Sequence, residues 1–205
     1  MADAPKVLIA FYSRSGTIAG LAEAVAEGAR AEGAEVRLRR AREVVPDSVI
    51  ASVPGWAEQA AALNAKYQAP TAEDAVWADA VIFGTPTRFG SVSSELKAYI
   101  DSLGGLWAQG ALVGKAGSVF AGSSQAHGGN EVTALSLYAP LAHLGFIIVP
   151  PGYADAVMFG GAGSPYGASV VSGHPPAGPS DAEIAVAQFQ GRRVVQVAKK
   201  LKEES

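Results

Sequence analysis

Short unbroken apolar runs alternate along this chain with longer stretches in which apolar residues recur every three or four positions. Residues 6–12 form the first run, and its continuity predicts a strand buried on both faces. From Thr17 the period changes. Ile18, Leu21, Ala22, Val25 and Ala26 make the stripe of a helix lying on a sheet, with Gly33 as its stop. Glu35–Arg40 sets Val36 and Leu38 between charged neighbours, as an edge or half-exposed strand would. Residues 42–71 carry Pro46, Pro54, Gly55 and a thin apolar pattern, which predicts a long connection with a short helix around 56–67.

Residues 80–84 are a third buried strand, followed by a helix that shows Val92, Leu96, Tyr99, Ile100 and Leu103 on one face and ends at Gly104-Gly105. Residues 116–121 read as the fourth strand, 131–143 as a helix and 146–149 as the fifth strand. Residues 151–179 are rich in Gly and Pro and too long for a simple connection, so they read as a functional excursion. The last helix opens on the capping box Ser180 and Glu183, turns Ile184, Ala187, Val194, Val195, Ala198 and Leu201 inward, and ends in Lys199, Lys200 and Lys202. Five strand–helix units in succession imply an α/β fold, a doubly wound parallel sheet with helices on both faces.

In such sheets ligands bind outside the carboxyl ends of the strands. Three of those ends carry loops of Ser, Thr, Gly and Pro: residues 13–18, 85–90 and 122–129. The first, Ser13-Arg14-Ser15-Gly16-Thr17-Ile18, stands between a buried strand and a helix N-terminus, where turn N–H groups, the helix dipole and hydroxyls favour a phosphate. It has neither the lysine-bearing spacing of a P-loop nor G-x-G-x-x-G, so a single phosphomonoester such as that of FMN suits it best. Ser and Thr also cap ordinary helices, which is the plainer reading of the same residues.

The 205 residues fit one domain spanning 1–205, and 49% hydrophobic against 17% charged residues excludes disorder as the main state. A formal charge of −3 without a Lys/Arg stripe makes nucleic acid an unexpected partner. The absence of cysteine excludes thiol catalysis and thiolate metal sites. Met1 to Pro5 lack a basic leader, and no apolar run approaches the roughly 18 residues of a membrane span, so a cytoplasmic protein is expected. His127, His143 and His174 are too scattered to argue for a metal, and His174 reads as solvated. Asp101 and Glu131 have no evident carboxylate partner, which leaves acid–base hydrolysis without support. Arg88, Phe89 and Trp107 could be a surface cation and core aromatics, or a cation and an aromatic wall for a flat ligand.

Several stretches carry a resemblance that runs nearly end to end. They are Phe83 to Gly90 (FGTPTRFG), Gly104-Gly105-Leu106-Trp107, His127-Gly128-Gly129 with Glu131, Leu141-Ala142-His143 with Gly145, and Ser164-Pro165-Tyr166-Gly167-Ala168. In these the chain resembles the WrbA-type NAD(P)H:quinone oxidoreductases, a family of flavodoxin-like FMN proteins. The resemblance implies a five-stranded sheet in the order 2-1-3-4-5. It also implies two-electron reduction of quinones to hydroquinones by NADH or NADPH, in ping-pong through flavin N5. Residues 13–18 would wrap the FMN phosphate; Pro86, Thr87, Arg88, Phe89 and Gly90 would pass along the ring system. Gly122, Ser123, Ser124, Gln125, His127 and Gly128 would close over the other side, with His143 at the flavin and Trp107 and Phe89 at the substrate. The family's members look like homodimers and homotetramers. The phosphate loop departs from the Met-Tyr-Gly-His type, having Arg14-Ser15-Gly16-Thr17, and Leu144 stands where a second histidine is often found. A flavodoxin-like electron carrier that docks to redox proteins is the alternative.

Overall fold

A computed structural model describes residues 3–160 and 162–203; Met1, Ala2, Gly161, Glu204 and Ser205 lie outside the described residues, and with them the start of the N-terminal reading and one position of the excursion. The first apolar run is a strand, Lys6–Phe11 (β1), with every residue after Lys6 buried. Val7, Ile9 and Phe11 face one core, whereas Leu8, Ala10 and Tyr12 face another. Successive strand side chains point to opposite faces, so a strand wet on neither side must be apolar at every position.

Helix Thr17–Ala31 (α1) leaves β1 over the first core, and the chain returns as the edge strand Glu35–Arg40 (β2). Short helices Asp47–Ala51 (α2), Trp56–Lys66 (α3) and Ala72–Trp77 (α4) fill the long connection. Strand Ala80–Pro86 (β3) follows, then helix Ser94–Ser102 (α5) over the second core. α5 ends just before Gly104-Gly105, as expected, and Gly104–Ala108 then coil into a further short helix (α6), because Leu106 and Trp107 N–H both bond back to Leu103 O at 3.0 Å. Strand Ala116–Ser123 (β4) and helix Asn130–His143 (α7) come next.

All pairings among the described strands are parallel, in the order β2-β1-β3-β4 and then, on the outer edge, Ile147–Ile148 (β5). The expected order 2-1-3-4-5 is the observed one, and the five strands gain a sixth at this edge. β5 pairs only with Ala116 and Gly117, and after the excursion a sixth strand, Ser169–Val171 (β6), takes the same edge further along, beside Ala121, Gly122 and Ser123. Helix Asp181–Glu203 (α8) closes the fold against α1. That crossing requires two glycines: a Cβ on Gly28 would sit 1.9 Å from Gln188 O, and one on Gly191 2.1 Å from Val25 O.

Asp74 ties the two ends of this frame. Its carboxylate accepts from Thr71 N–H to cap α4, and from Arg37 and Arg39 of β2 at 3.0 and 2.9 Å. Burial pushes this carboxyl upward, but the hydrogen bonds from Arg39 and Arg37 outweigh it and hold it below the ordinary carboxylate range. A group lowered on folding binds fewer protons in the native chain, so its stabilisation is whole above the unfolded value of about 4 and is lost as the pH falls through the native one. Asp74→Asn, which keeps a capping side chain, is expected to cost about 2 kcal/mol at pH 7 and to flatten the acid decline below about pH 4. Urea denaturation as a function of pH checks both.

Candidate functional site

At the carboxyl ends of β1, β3 and β4 the three loops surround one cleft of about 750 Å³, a size that takes a cofactor-sized ligand. The first loop leaves β1 at Tyr12, whose N–H still bonds Gly84 O of β3 at 2.9 Å. Ser13 is buried, and its Oγ accepts the N–H of Gly16 at 3.1 Å. Gly16 takes φ 93° at the N-cap of α1, where no side chain caps the helix. The N–H groups of Arg14 and Ser15 engage no partner among the described residues, and the first-turn N–H groups of any helix lack one. The Thr17 hydroxyl donates to Ala177 O at 2.9 Å, joining the loop to the excursion. Arg14 lays its guanidinium 4.0 Å from the ring centroid of Trp56.

The second loop is pinned from beneath. Thr87 N–H donates to Gly122 O at 2.7 Å, and Thr87 Oγ1 accepts from the Thr133 hydroxyl at 2.8 Å and from Gly90 N–H at 3.2 Å. Arg88 and Ser91 then exchange backbone hydrogen bonds of 2.9 and 3.0 Å around a tight turn with Phe89 at φ 54° and Gly90 at φ 76°. Two positive φ values define a type I′ turn. Phe89 is the non-glycine residue with positive φ among those described, and its ring stands wholly in solvent. The third loop folds on itself, with the Ser123 hydroxyl and Gly128 N–H both donating to Gln125 O, at 2.6 and 2.9 Å.

Of the residues expected at the site, Ser13, Arg14, Ser15, Thr17 and Ile18 line the cleft from the first loop. Pro86, Thr87 and Arg88 line it from the second, and Gly122, Ser123, Ser124, Gln125 and Gly128 from the third. Gly16, Phe89 and Gly90 do not line it; they shape the two turns. His127 is exposed within the third loop and His143 is exposed in the last turn of α7, and neither lines the cleft of this chain. Trp107 is 58% exposed on α6, also outside it.

Two walls escaped the sequence reading. Val53, Pro54, Gly55, Trp56 and Gln59, where α3 begins, form one; Val170 of β6 with Ser172, His174 and Pro176 after it form the other. His174 is exposed, as expected of a solvated residue, and stands at the rim of the cleft. The signal for both was length: each wall comes from a connection too long for its topological task. Among the described lining residues there is no Asp or Glu, while Arg14 and Arg88 bring two positive charges. A chain of net charge −3 has thus cleared its acids from this one place, an arrangement suited to an anion. No group of three His, Cys, Asp or Glu able to hold a metal occurs among the described residues.

A family model described as NADPH-dependent FMN reductase matches residues 7–159. The chain belongs to the NADPH-dependent FMN reductase family. Relatives of this family member extend the likeness over nearly its whole length. The "NAD(P)H dehydrogenase (quinone)" of Syntrophobacter fumaroxidans is 47% identical, over 96% of this chain and 98% of the relative. The protein of the same name from Deinococcus radiodurans is 41% identical, over 96% of both chains. Among solved structures, the flavodoxin, WrbA-like protein from Agrobacterium tumefaciens superposes with a TM-score of 0.67 over 96% of this chain and 99% of its own, at 23% identity. The fold is flavodoxin-like.

The turn at Phe89 stores strain in this FMN reductase family member, since an aromatic residue in the left-handed region costs of the order of 1 kcal/mol. Asn tolerates that region better and keeps a Cβ. Phe89→Asn is therefore expected to raise the unfolding free energy by about 1 kcal/mol, read from the denaturation midpoint.

Proposed function

We propose that this chain is an FMN-dependent oxidoreductase that reduces quinones to hydroquinones at the expense of NADH or NADPH. The observation that carries the reading is the cleft. Free N–H groups, hydroxyls and arginines converge without an acid at the ends of β1, β3 and β4, between two loops set apart like the sides of a slot. Curated relatives that match nearly the full chain bear the name NAD(P)H dehydrogenase (quinone), which supports the same reading.

The donor set fits FMN. Arg14 N–H and Ser15 N–H, the first turn of α1 and the Ser15 hydroxyl would hold a phosphomonoester, while the Thr17 hydroxyl, which donates to Ala177 O, holds the loop against the excursion. The loop at Pro86, Thr87 and Arg88 and the loop from Gly122 to Gly128 would lie along the ring system. When bound, FMN supplies the hydride-transfer chemistry that no side chain here provides. The protein holds the cofactor, presents one side of it to both substrates in turn, and sets Arg88 to favour negative charge at the polar edge of the ring. Phe89 and Trp107 give flat apolar surface to a quinone, and His127 and His143 stand in support at the flavin. Because Trp107, Phe89 and His143 are exposed in one chain, the working unit of this proposal is a homodimer or homotetramer in which copies complete one another's sites. The chain acts as one flavodoxin-like domain in the cytoplasm.

Purified protein supplied with FMN should oxidise NADH or NADPH over many turnovers only when benzoquinone is present, read as loss of nicotinamide absorbance. Bound flavin that neither nucleotide reduces would instead indicate an electron carrier. Ser15→Ala removes a hydroxyl donor from the phosphate loop, and the FMN dissociation constant is expected to rise about fivefold, by fluorescence titration.

A further inference from the structure

Behind the first loop, on the side away from the cleft, lies a charge that nothing in the proposed reaction uses. Arg40, the last residue of β2, is entirely inaccessible to solvent. Its Nε and Nη2 both donate to the carbonyl oxygen of Ser13, at 3.1 and 2.9 Å. Nη1 donates to Asn64 Oδ1 of α3 at 2.5 Å, and the guanidinium is paired with the almost fully buried carboxylate of Glu43. Arg42 reaches the same Asn64 oxygen and donates to Tyr67 O at 2.8 Å. The Tyr12 ring packs 5.2 Å from the guanidinium.

The consequence for the loop follows from peptide geometry. The Ser13–Arg14 peptide is trans and planar, so its C=O and N–H point in opposite directions. Two donors of a rigid guanidinium fix the carbonyl, and the Arg14 N–H is thereby turned away from Arg40. That N–H is one of the two loop amides without a partner among the described residues, and Arg14 lines the cleft. Without the clamp the Ser13 carbonyl would be free to rotate toward the cleft and present an acceptor where a phosphate needs a donor.

We infer that Arg40 is a positioning residue for phosphomonoester recognition: it clamps the Ser13 carbonyl from the buried side so that the Arg14 N–H is presented to the phosphate. Glu43 and Asn64 hold the guanidinium in turn, and Asn64 links it to α3, whose Trp56 and Gln59 wall the same cleft. The inference rests on the assignment of FMN to this cleft. Its chemical selectivity is for the phosphate, since none of the Arg40 side-chain hydrogen bonds among the described residues goes to the second or third loop.

Riboflavin, which has the ring and ribityl chain but no phosphate, separates positioning from mere structural support. Arg40→Met with Glu43→Met removes the buried pair together and leaves no unpaired charge, a change proteins often tolerate. FMN is expected to bind this variant about tenfold or more weaker than the wild type by fluorescence titration, with riboflavin unchanged within about twofold. Arg40→Lys keeps the charge but loses the planar fork; it is expected to weaken FMN by about threefold, again sparing riboflavin, and reads the same ratio if the double variant does not fold. Equal weakening of both flavins, or no weakening of FMN, would overturn the inference. A wild-type chain that binds riboflavin and FMN equally would remove the phosphate site itself, and one that binds neither would remove the cofactor reading beneath it.

Discussion

The rest of the structure depends on the complete burial of β1. With β2 and β3 bonded to its two edges and an apolar core against each face, this strand has no wet side, and helices must cover it above and below. α1 leaves the end of β1 over one core, while α5, which follows β3, packs in the other. The loops after two adjacent strands therefore part to opposite sides and leave a crevice between them. The position of the cleft is thus a consequence of strand order, and the apolar run 6–12 demands an interior place for its strand before any ligand is considered.

A buried arginine is costly, and the structure shows how the cost is offset. Arg40 gives up water for the Ser13 carbonyl, Asn64 and the Glu43 carboxylate. Burial acts most strongly on the Glu43 carboxyl and raises it, yet the hydrogen bond and charge of Arg40, together with a backbone hydrogen bond, outweigh it and hold the group below its ordinary value, so the pair stays ionised at neutral pH. An apolar pair of the same size would pack there at less expense. What apolar side chains cannot do is hold a carbonyl from behind, and that places the reason for the charge in the loop rather than in the stability of the sheet. The two cations in the cleft, Arg14 and Arg88, follow another logic, because they remain at the surface where a ligand can reach them.

Much of this was legible in the residues, since period and burial are the same fact seen twice. The central strands, the inward stripes of α1 and α5 and the Ser180–Glu183 capping box follow from spacing alone, and the box is formed, with Ser180 N–H and hydroxyl donating to Glu183 at 2.7 and 2.8 Å. The three loops were legible because hydroxyl and glycine residues cluster at strand ends. Arg40 escaped notice although its signal was present: in Glu35–Arg40 the alternation that sends Val36 and Leu38 inward sends residue 40 inward too. Charge at an inward position means a buried partner, and that partner is a backbone carbonyl, which no sequence pattern marks. Trp107 and Phe89 carried a motif likeness but not a place, since their exposure is a property of one chain and their use would be a property of an assembly.

The excursion shows how a site can be enlarged without disturbing a fold. It interrupts the strand that needs the least from its neighbours, the outermost one, and the chain rejoins the same edge as β6 four residues further along β4. Closing so long a loop adds little entropy cost beyond a shorter one, because that cost grows only with the logarithm of length. Among the bonds that anchor the return are Ser172 N–H to Ser123 O, Ala168 N–H to the buried Gln190 side chain, and the Thr17 hydroxyl to Ala177 O. The last of these joins the excursion directly to the phosphate loop. Val170, Ser172 and His174 thus arrive at the cleft already tied to two of the loops they face, so this wall is part of the frame that holds the cleft in shape rather than a flap laid over it.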